Sequence, residues 1–426
     1  MIARSASPSS DFDIVVIGAG AAGIAAAMRL ASSERSFCVL EARSRIGGRA
    51  YTRVEEGFPL DLGCGWLHSA DRNPWRPLIE ESGFAIDKTR PPWGILSIDL
   101  DMDVEKQRDF DLASARFQAR LDEAGRAEAD RPAAQLLEPD GRWNALLNAV
   151  STYVSGVELD RVSARDSGNY ADSGVNWRVV EGYGAGIRSQ AKQTRIEHDC
   201  AVELIDRTGP RLKLVTRKGD LTADSVILTV PTSILATEKI RFRPPLPEKV
   251  EAACMLPLGL ADKLLLAIDD PDMLPKEGHV FGNLADAETA SYHMRPFGRP
   301  LIEAYFGGRL AQKLEAEGTD AFFDFACVEL AHVFGHRIKP RLRPITQTSW
   351  GLDPYALGSY SYALPNHAIA RLKLAETVDD RLFFAGEACS PNDFSTAHGA
   401  FWTGVKAAER ALARADPDHA RRSATS

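Results

Sequence analysis

The sequence predicts an α/β protein in which a doubly wound, Rossmann-like domain is joined to a second, α+β domain. Three observations carry this: a glycine-rich strand-to-helix turn near the start, a matching strand, glycine and helix near the end, and helical periodicity between them. The first is Asp13-Ile-Val-Val-Ile-Gly-Ala-Gly-Ala-Ala-Gly23. Gly18, Gly20 and Gly23 there allow a tight turn, a close backbone approach to pyrophosphate and close helix packing. The following helix offers unpaired N–H groups and a partial positive charge to phosphates.

Next comes the strand Phe37-Cys-Val-Leu-Glu41, whose Glu41 stands 18 residues beyond Gly23. That spacing, close to ~20 residues, suits a carboxylate that accepts from ribose hydroxyls, and so favours FAD or NAD over NADP. Arg45-Ile-Gly-Gly-Arg49 and Leu60-Asp-Leu-Gly-Cys-Gly-Trp66 follow, dense enough in glycine to mean backbone held close to something. From about 99 to 131, Phe110, Ala113, Phe117, Leu121 and Ala124 form one helical stripe, read as a helix packed on its own domain. Strands are expected at 201–205, 212–215 and 225–230, and a helix running from Thr319 as N-cap through Val333. The strand Leu382-Phe-Phe-Ala385 leads through Gly386 into a helix over about 398–414.

The chain has 426 residues, 44% of them hydrophobic, enough for two domains and a large core. A net charge of −8, a pI near 5.7 and the lack of a long basic run argue against nucleic acid or an anionic membrane as the main partner. The opening residues lack the apolar segment of a signal peptide, so a cytoplasmic protein with a short leader is expected. Six cysteines without Cys-x-x-Cys spacing indicate neither a zinc site nor a disulfide framework, and Cys38 and Cys254 read as core residues.

Taken in order, Gly18-Ala-Gly-Ala-Ala-Gly23, Leu40-Glu-Ala-Arg43, Gly47-Gly-Arg49, Asp61-Leu-Gly-Cys-Gly-Trp66, Thr229-Val-Pro231, Pro257-Leu-Gly-Leu-Ala-Asp-Lys263, Gly358-Ser-Tyr-Ser-Tyr362 and Phe384-Ala-Gly-Glu387 resemble the flavin-containing amine oxidase family. That family holds monoamine oxidases, polyamine oxidases and lysine-specific histone demethylases, and the motif detail lies nearest its polyamine oxidase branch. The resemblance selects FAD over NAD and implies an amine-oxidase-like two-domain fold. The FAD-binding domain is then expected from 12–78, 182–258 and 344–414, and the substrate domain from 79–181 and 259–343. Residues 1–11 make a disordered leader and 415–426 a flexible tail.

Residue by residue, the resemblance places Gly48, Gly65, Trp66, Trp350 and Gly386 against the cofactor, Val202 with its backbone at the adenine, Glu387 on the polar chain and Ala397 by the flavin ring. Arg43 and Arg49 can each put a guanidinium on the pyrophosphate, with a surface ion pair as the alternative, and phosphate is favoured for Arg49 because two glycines precede it. Lys263 matches the family's lysine, which holds a water against flavin N5; without the match it would point outward from an alternating strand. Trp350 and Tyr360 supply aromatic walls for the amine, with Thr396 opposite Tyr360, where monoamine oxidases place tyrosine. Ser359 stands where monoamine oxidases carry a cysteine bonded to the flavin, so FAD is expected to be noncovalent. His68 reads either as a channel histidine, as in spermine oxidase, or as a structural one.

The implied reaction takes hydride from a primary or secondary amine, polyamine-like substrates favoured, to flavin N5. Dioxygen then becomes hydrogen peroxide, and water hydrolyses the imine. An L-amino-acid oxidase and a desaturase-type enzyme of the same fold stay open, and a flavin-binding interaction protein without turnover ranks last. Asp286, Glu288 and Glu303 could line the channel or be solvated; Arg295 or Arg309 could hold a substrate carboxylate. Neither the extra helical domain nor the coiled-coil insertion of the demethylases is expected, which argues against a chromatin role. Partners are a small amine and dioxygen, with no metal, and a homodimer is compatible with all of this.

Overall fold

The computed structural model describes residues 10–94, 102–192 and 194–415. The expected leader up to residue 9 and the tail beyond 415 lie outside the described residues. The apolar runs Asp11–Ile17 and Phe37–Leu40 are neighbouring parallel strands, with Ile14 opposite Phe37 and Ile17 opposite Leu40. They belong to an eight-stranded sheet ordered 241–243, 202–206, 212–216, 219–228, 11–17, 37–40 and 196–197, with 382–384 also paired to 219–228.

Strand Gly219–Leu228 organises this sheet. Its first half pairs antiparallel with Leu212–Thr216, and its last three residues pair parallel with Leu382–Phe384. The strand starts six residues earlier than the apolar run at 225–230 suggests, because Gly219–Asp224 sits in the less buried antiparallel part and so carries no continuous apolar signal. Strands Asp11–Ile17, Phe37–Leu40, Gly219–Leu228 and Leu382–Phe384 are mutually parallel in register, so their carboxyl ends share one edge. That edge is where open α/β sheets bind ligands.

Helices Ala21–Leu30 and Ala397–Ala415 lie together on one face of the sheet. Small residues let them approach closely: a Cβ at Gly404 would lie 2.2 Å from the carbonyl oxygen of Ala22. Cys38 is buried in the sheet core, but Cys254 is exposed. Helix Pro247–Cys254 turns Ala252 and Ala253 inward, which leaves its last residue on the solvent side.

The second domain centres on a five-stranded antiparallel sheet ordered 278–281, 291–294, 301–307, 261–268 and 342–347. Register and the alternation of side chains divide its residues between two faces. One face carries Leu264, Leu266, Ile302, Ala304, Phe306, Tyr292, Met294 and Val280, packed beneath helices Gly308–Glu317 and Ala321–Phe334. Burying Phe306 or Phe322 there contributes on the order of 2–3 kcal/mol. The other face carries Lys263, Tyr305, Ser291 and Phe281 in one row and Leu265, Glu303, His293 and His279 in the next.

Two further expectations are corrected. Strand Leu342–Gln347 pairs with Ala261–Ile268, so a domain boundary between 343 and 344 cuts through a strand of the substrate sheet. Thr319 does not cap a helix: Gly318, at φ +110°, ends helix Gly308–Glu317, and the next helix begins after Asp320. Every residue of Ala261–Ile268 is buried, so the outward-pointing alternative for Lys263 falls away. The stripe from Phe110 to Ala124 does lie on one helix, Val104–Arg126, which buries Phe117, Leu121 and Ala124.

Candidate active site

At the carboxyl edge of the first sheet, Gly18 adopts φ +101°, and a Cβ there would lie 2.6 Å from Thr229 Oγ1. A Cβ at Gly23 would lie 1.8 Å from the carbonyl oxygen of Gly18. Gly20 bridges Gly47, and a Cβ at Gly48, φ +57°, would stand 3.3 Å from Gly20 Cα. Two glycine loops therefore meet at the N-terminus of helix Ala21–Leu30, which no side chain caps. Its first-turn amides remain available to an anion.

Glu41 ends the second strand and is buried. Its Oε2 accepts from Ala19 N at 2.8 Å and its Oε1 from Arg43 N at 2.9 Å, which fixes the carboxylate beside the glycine turn. Cys200 N donates to Glu41 O and Asp199 N to Arg43 O, so the segment entering Val202 runs along the same place. Carboxylate, uncapped helix and paired glycine loops together fit a dinucleotide cofactor. Gly386, at φ +135°, adds open backbone: nothing lies within 4 Å of where its Cβ would be.

The two arginines take internal partners. Arg43 pairs with Asp353 at 2.6 Å, and Arg49 Nη1 donates to Ser359 O at 2.7 Å and Glu387 Oε1 at 2.9 Å. Glu387 also accepts from Ser361 Oγ at 2.6 Å and Ser395 N at 3.0 Å. Burial pushes this carboxyl up, but Arg49, Ser361 and Arg371 outweigh it and hold the group below the usual carboxylate range. Arg371, fully buried, forks onto both oxygens of Asp166 at 2.7 and 2.8 Å and reaches Ser361 Oγ at 2.9 Å. A continuous chain Asp166, Arg371, Ser361, Glu387, Arg49 thus runs to the edge. A small cleft opens beside it, lined in part by Arg49, Val230, Gly386 and Glu387.

Lys263 is 5% exposed and sits where the two domains meet. Its Nζ donates to Asp61 O at 2.9 Å and pairs with Glu303 Oε1 at 2.7 Å. Gly65 makes room for it, since a Cβ there would lie 3.4 Å from Nζ. Burial pulls the lysine down, but Glu303, Tyr305 and Asp61 outweigh it and push it up to about 12. Glu303, raised by burial and lowered more by Lys263, stays below its ordinary range. Both shifts describe one ion pair. Lys263, Glu303, Trp66, Arg178, His293 and Phe297 line part of one cleft.

Aromatic groups continue from the lysine. Lys263 Nζ lies 5.6 Å from the Tyr305 ring centre, the Tyr305 hydroxyl is 3.4 Å from that of Tyr360, and Tyr360 donates to Tyr153 O. Trp66 packs edge-on to Trp93 at 4.4 Å, with the Arg178 guanidinium 5.0 Å from its ring. Trp350 is buried and donates from Nε1 to Leu62 O at 3.1 Å. Ser359 Oγ donates to Ala261 O at 2.8 Å and accepts from Ala261 N at 2.9 Å.

The remaining expected residues are more local in their bonding. Thr396 Oγ1 accepts from Gly399 N at 3.0 Å and donates to Asp393 O at 2.6 Å, capping the helix that begins at Ala397. Ala397 O accepts from Trp75 Nε1 at 2.8 Å. His68 Nδ1 lies 2.7 Å from Asn176 Oδ1, and burial holds the ring below its usual range. Asp286 and Glu288 are exposed on a turn, Arg295 pairs with Asp272, and Arg309 pairs with Asp160. Of the three candidate channel carboxylates, Glu303 alone lies on the cleft.

Sequence reasoning left out Tyr305, His293, Tyr153 and Arg178. The first had an available signal: Glu303 and Tyr305 are alternate residues of one strand, and pairing that strand with the lysine strand puts both beside Lys263.

The model of flavin containing amine oxidoreductases matches residues 96–412, and that of an NAD(P)-binding Rossmann-like domain matches 16–82. Polyamine oxidase 2 of Arabidopsis thaliana is 31% identical, over 95% of this chain and 88% of its own length. Lysine-specific histone demethylase 1 homolog 2 of the same plant is 26% identical, over 94% of this chain and 58% of its own. Among solved structures, putrescine oxidase bound to putrescine superposes with a TM-score of 0.79 at 16% identity, covering 95% of this chain and all of that one.

Proposed function

Because this chain belongs to the flavin containing amine oxidoreductase family and is an FAD-dependent amine oxidoreductase, we propose that it oxidises a polyamine-like primary or secondary amine. Dioxygen is the acceptor, and hydrogen peroxide and, after imine hydrolysis, an aldehyde or ketone leave. One observation carries the reading: a buried lysine, paired with Glu303 and bonded to Asp61 O, lies at the meeting of the dinucleotide edge and an aromatic cleft. The 31% identity to a polyamine oxidase supports the substrate class.

FAD, when bound, supplies the two-electron acceptor for the amine's carbon–nitrogen bond. Glu41 would hold its ribose, the first turn of helix Ala21–Leu30 and the Gly20 and Gly48 loops its phosphates, and Val202 its adenine. Gly65, Trp66, Trp350, Gly386, Glu387 and Ala397 would frame the rest, and Arg43 and Arg49 would brace that frame through Asp353 and Glu387. Ser359 has no thiol and spends its hydroxyl on Ala261, which supports noncovalent binding.

Of three ammonium N–H donors on Lys263, Asp61 O and Glu303 take two, leaving one for a water. A lysine held near 12 stays charged at neutral pH and does not act as the base. The amine therefore has to reach the reacting position already neutral. Tyr360, Tyr305 and Trp66 attract its cationic form and exclude water from its neutral one.

Thr396 would form the wall opposite Tyr360, and His68 would either line the channel or serve as a structural histidine bonded to Asn176. No described helix is long and apolar enough to cross a membrane. The six cysteines, all free, are what a reducing compartment such as the cytoplasm would keep so.

Anaerobic mixing of the purified holoenzyme with polyamines, monoamines and amino acids tests the proposal. Polyamines are expected to bleach the flavin fastest. If no amine bleaches it, the oxidase reading fails.

A further inference from the structure

Behind Trp350, on the side of the lysine strand away from the cleft, two carboxyl groups face each other. Asp262, the residue before Lys263, is fully buried. Its Oδ1 accepts from Thr348 Oγ1 at 2.7 Å and Trp350 N at 2.9 Å. Its Oδ2 is also buried, yet meets no N–H or O–H donor among the described residues if both acids are ionised. The Glu315 carboxyl, on helix Gly308–Glu317, is brought beside it, because the consecutive amides of Trp350 and Gly351 bond Asp262 and Glu315 respectively. Glu315 Oε1 in turn accepts from Gly351 N at 2.9 Å. A Cβ at Gly351 would lie 2.3 Å from Glu315 Oε2, so the glycine leaves that carboxyl its place.

The loop gripped by these acids is bonded back to the site. Thr348 Oγ1 accepts from Lys263 N at 2.8 Å, and Thr348 N donates to Lys263 O at 2.9 Å. Trp350 Nε1 bonds Leu62 O on the dinucleotide side. Two ionised carboxylates in contact at a buried position would repel, and a buried acceptor without a donor is costly. One proton between them removes both costs.

We propose that Asp262 and Glu315 share a single proton, and that this acid–carboxylate pair is a positioning device that holds the Lys263 backbone and the Trp350 indole through residues 348–351. Protonated Glu315 donates its O–H to Asp262; at higher pH the proton leaves to solvent, two carboxylates remain, and the grip on Gly351 and Trp350 loosens. Burial and the neighbouring Asp262 push the Glu315 carboxyl up to about 7, which puts this loss near neutrality.

No cation answers the pair among the described residues. Lys263, next along the strand, turns to Glu303, and Arg309, on the helix of Glu315, pairs with Asp160. Tyr305 and Tyr360, on strands 301–307 and 360–361, carry no charge to answer it, their hydroxyls being pushed up first by burial and last by Asp262. Gln347 and Thr348 face it uncharged. Glu329, on helix Ala321–Phe334, bonds Thr289, Ala290 and Tyr292 instead.

The test compares the wild-type holoenzyme with Glu315→Gln, whose amide donates to Asp262 at every pH. Infrared difference spectra of the wild type should show a protonated-carboxyl band that disappears as pH rises through 7 and is missing from E315Q. The ratio of wild-type to variant flavin-reduction rates, in which the amine's own ionisation cancels, should fall above pH 7 by up to about tenfold per unit. Asp262→Asn, which supplies a donor from the other side, should flatten the profile in the same way. A wild type without the band, or a rate ratio independent of pH, overturns the pair. The infrared and ratio measurements separate this outcome from failure of the amine-oxidase reading itself, which would appear as no bleaching by any amine in any variant.

Discussion

The dinucleotide edge and the lysine face of the second sheet are built from opposite materials. The edge is backbone: Gly18, Gly23 and Gly48 are there because a Cβ would crowd neighbouring atoms or require a strained φ, and the helix amides are left without a side-chain cap. The lysine face is side chain: Lys263, Glu303, Tyr305 and Tyr360 come from three strands and act through charge and ring contact. A site made of backbone tolerates no added atoms, whereas one made of side chains tolerates shape changes but not an unbalanced charge.

The largest effect expected from this contrast is at Gly23. Gly23→Val should cost more than about 4 kcal/mol, because the added Cβ would overlap the Gly18 carbonyl, and should leave a colourless, poorly folded protein. A yellow, soluble variant would show that the edge is less constrained than its geometry says. Arg371→Met probes the bridge between the regions. Leaving Asp166 buried and unpaired should cost about 3–5 kcal/mol, read as a lowered thermal midpoint and weaker FAD retention.

Lys263→Met tests the lysine face alone. It should keep FAD but lose about 10²–10³ in the anaerobic flavin-reduction rate, as when one preorganised donor is removed. Glu303→Gln should lose less, since Asp61 O still holds the ammonium. The ion pair also has a pH signature. Lys263 is raised from 10.5 to about 12, so its contribution is complete below 10.5 and is lost as pH climbs through 12. Glu303 is lowered from 4.5, so its contribution is present above 4.5 and is lost as pH falls below it. Thermal midpoints across pH should therefore lose their acid and alkaline limbs together in K263M.

Smaller effects separate the finer readings. Ser359→Ala removes two hydrogen bonds to Ala261 and should cost about 1–2 kcal/mol, with FAD still freed completely by acid precipitation. Colour retained in the wild-type pellet would contradict noncovalent binding. His68→Gln should move KM for a long polyamine several-fold if the ring lines the channel. If the ring only partners Asn176, it should shift the midpoint slightly and leave KM alone.

How much of this was legible follows the same division. The glycine turn, Glu41 at its spacing, the closing strand and the Ala-rich helix were readable because each requirement acts within a few residues of chain. Thr319 as a cap and Cys254 as core were misread, since Gly318 and the solvent face of helix Pro247–Cys254 decide them. Lys263 could be singled out, but its alternating strand pattern pointed to solvent; the inner face it occupies is set by contact with the other domain.

The sequence alone therefore determined the dinucleotide half of this protein, because steric limits on backbone are local and leave glycine as their record. Tertiary structure decided which charges meet. Glu303 reaches Lys263 only through strand register, Glu387 reaches Arg49 across 338 residues, and Asp262 finds Glu315 only when a helix lies over its strand. Coulomb and desolvation energies depend on distance in space, and no spacing along the chain encodes it.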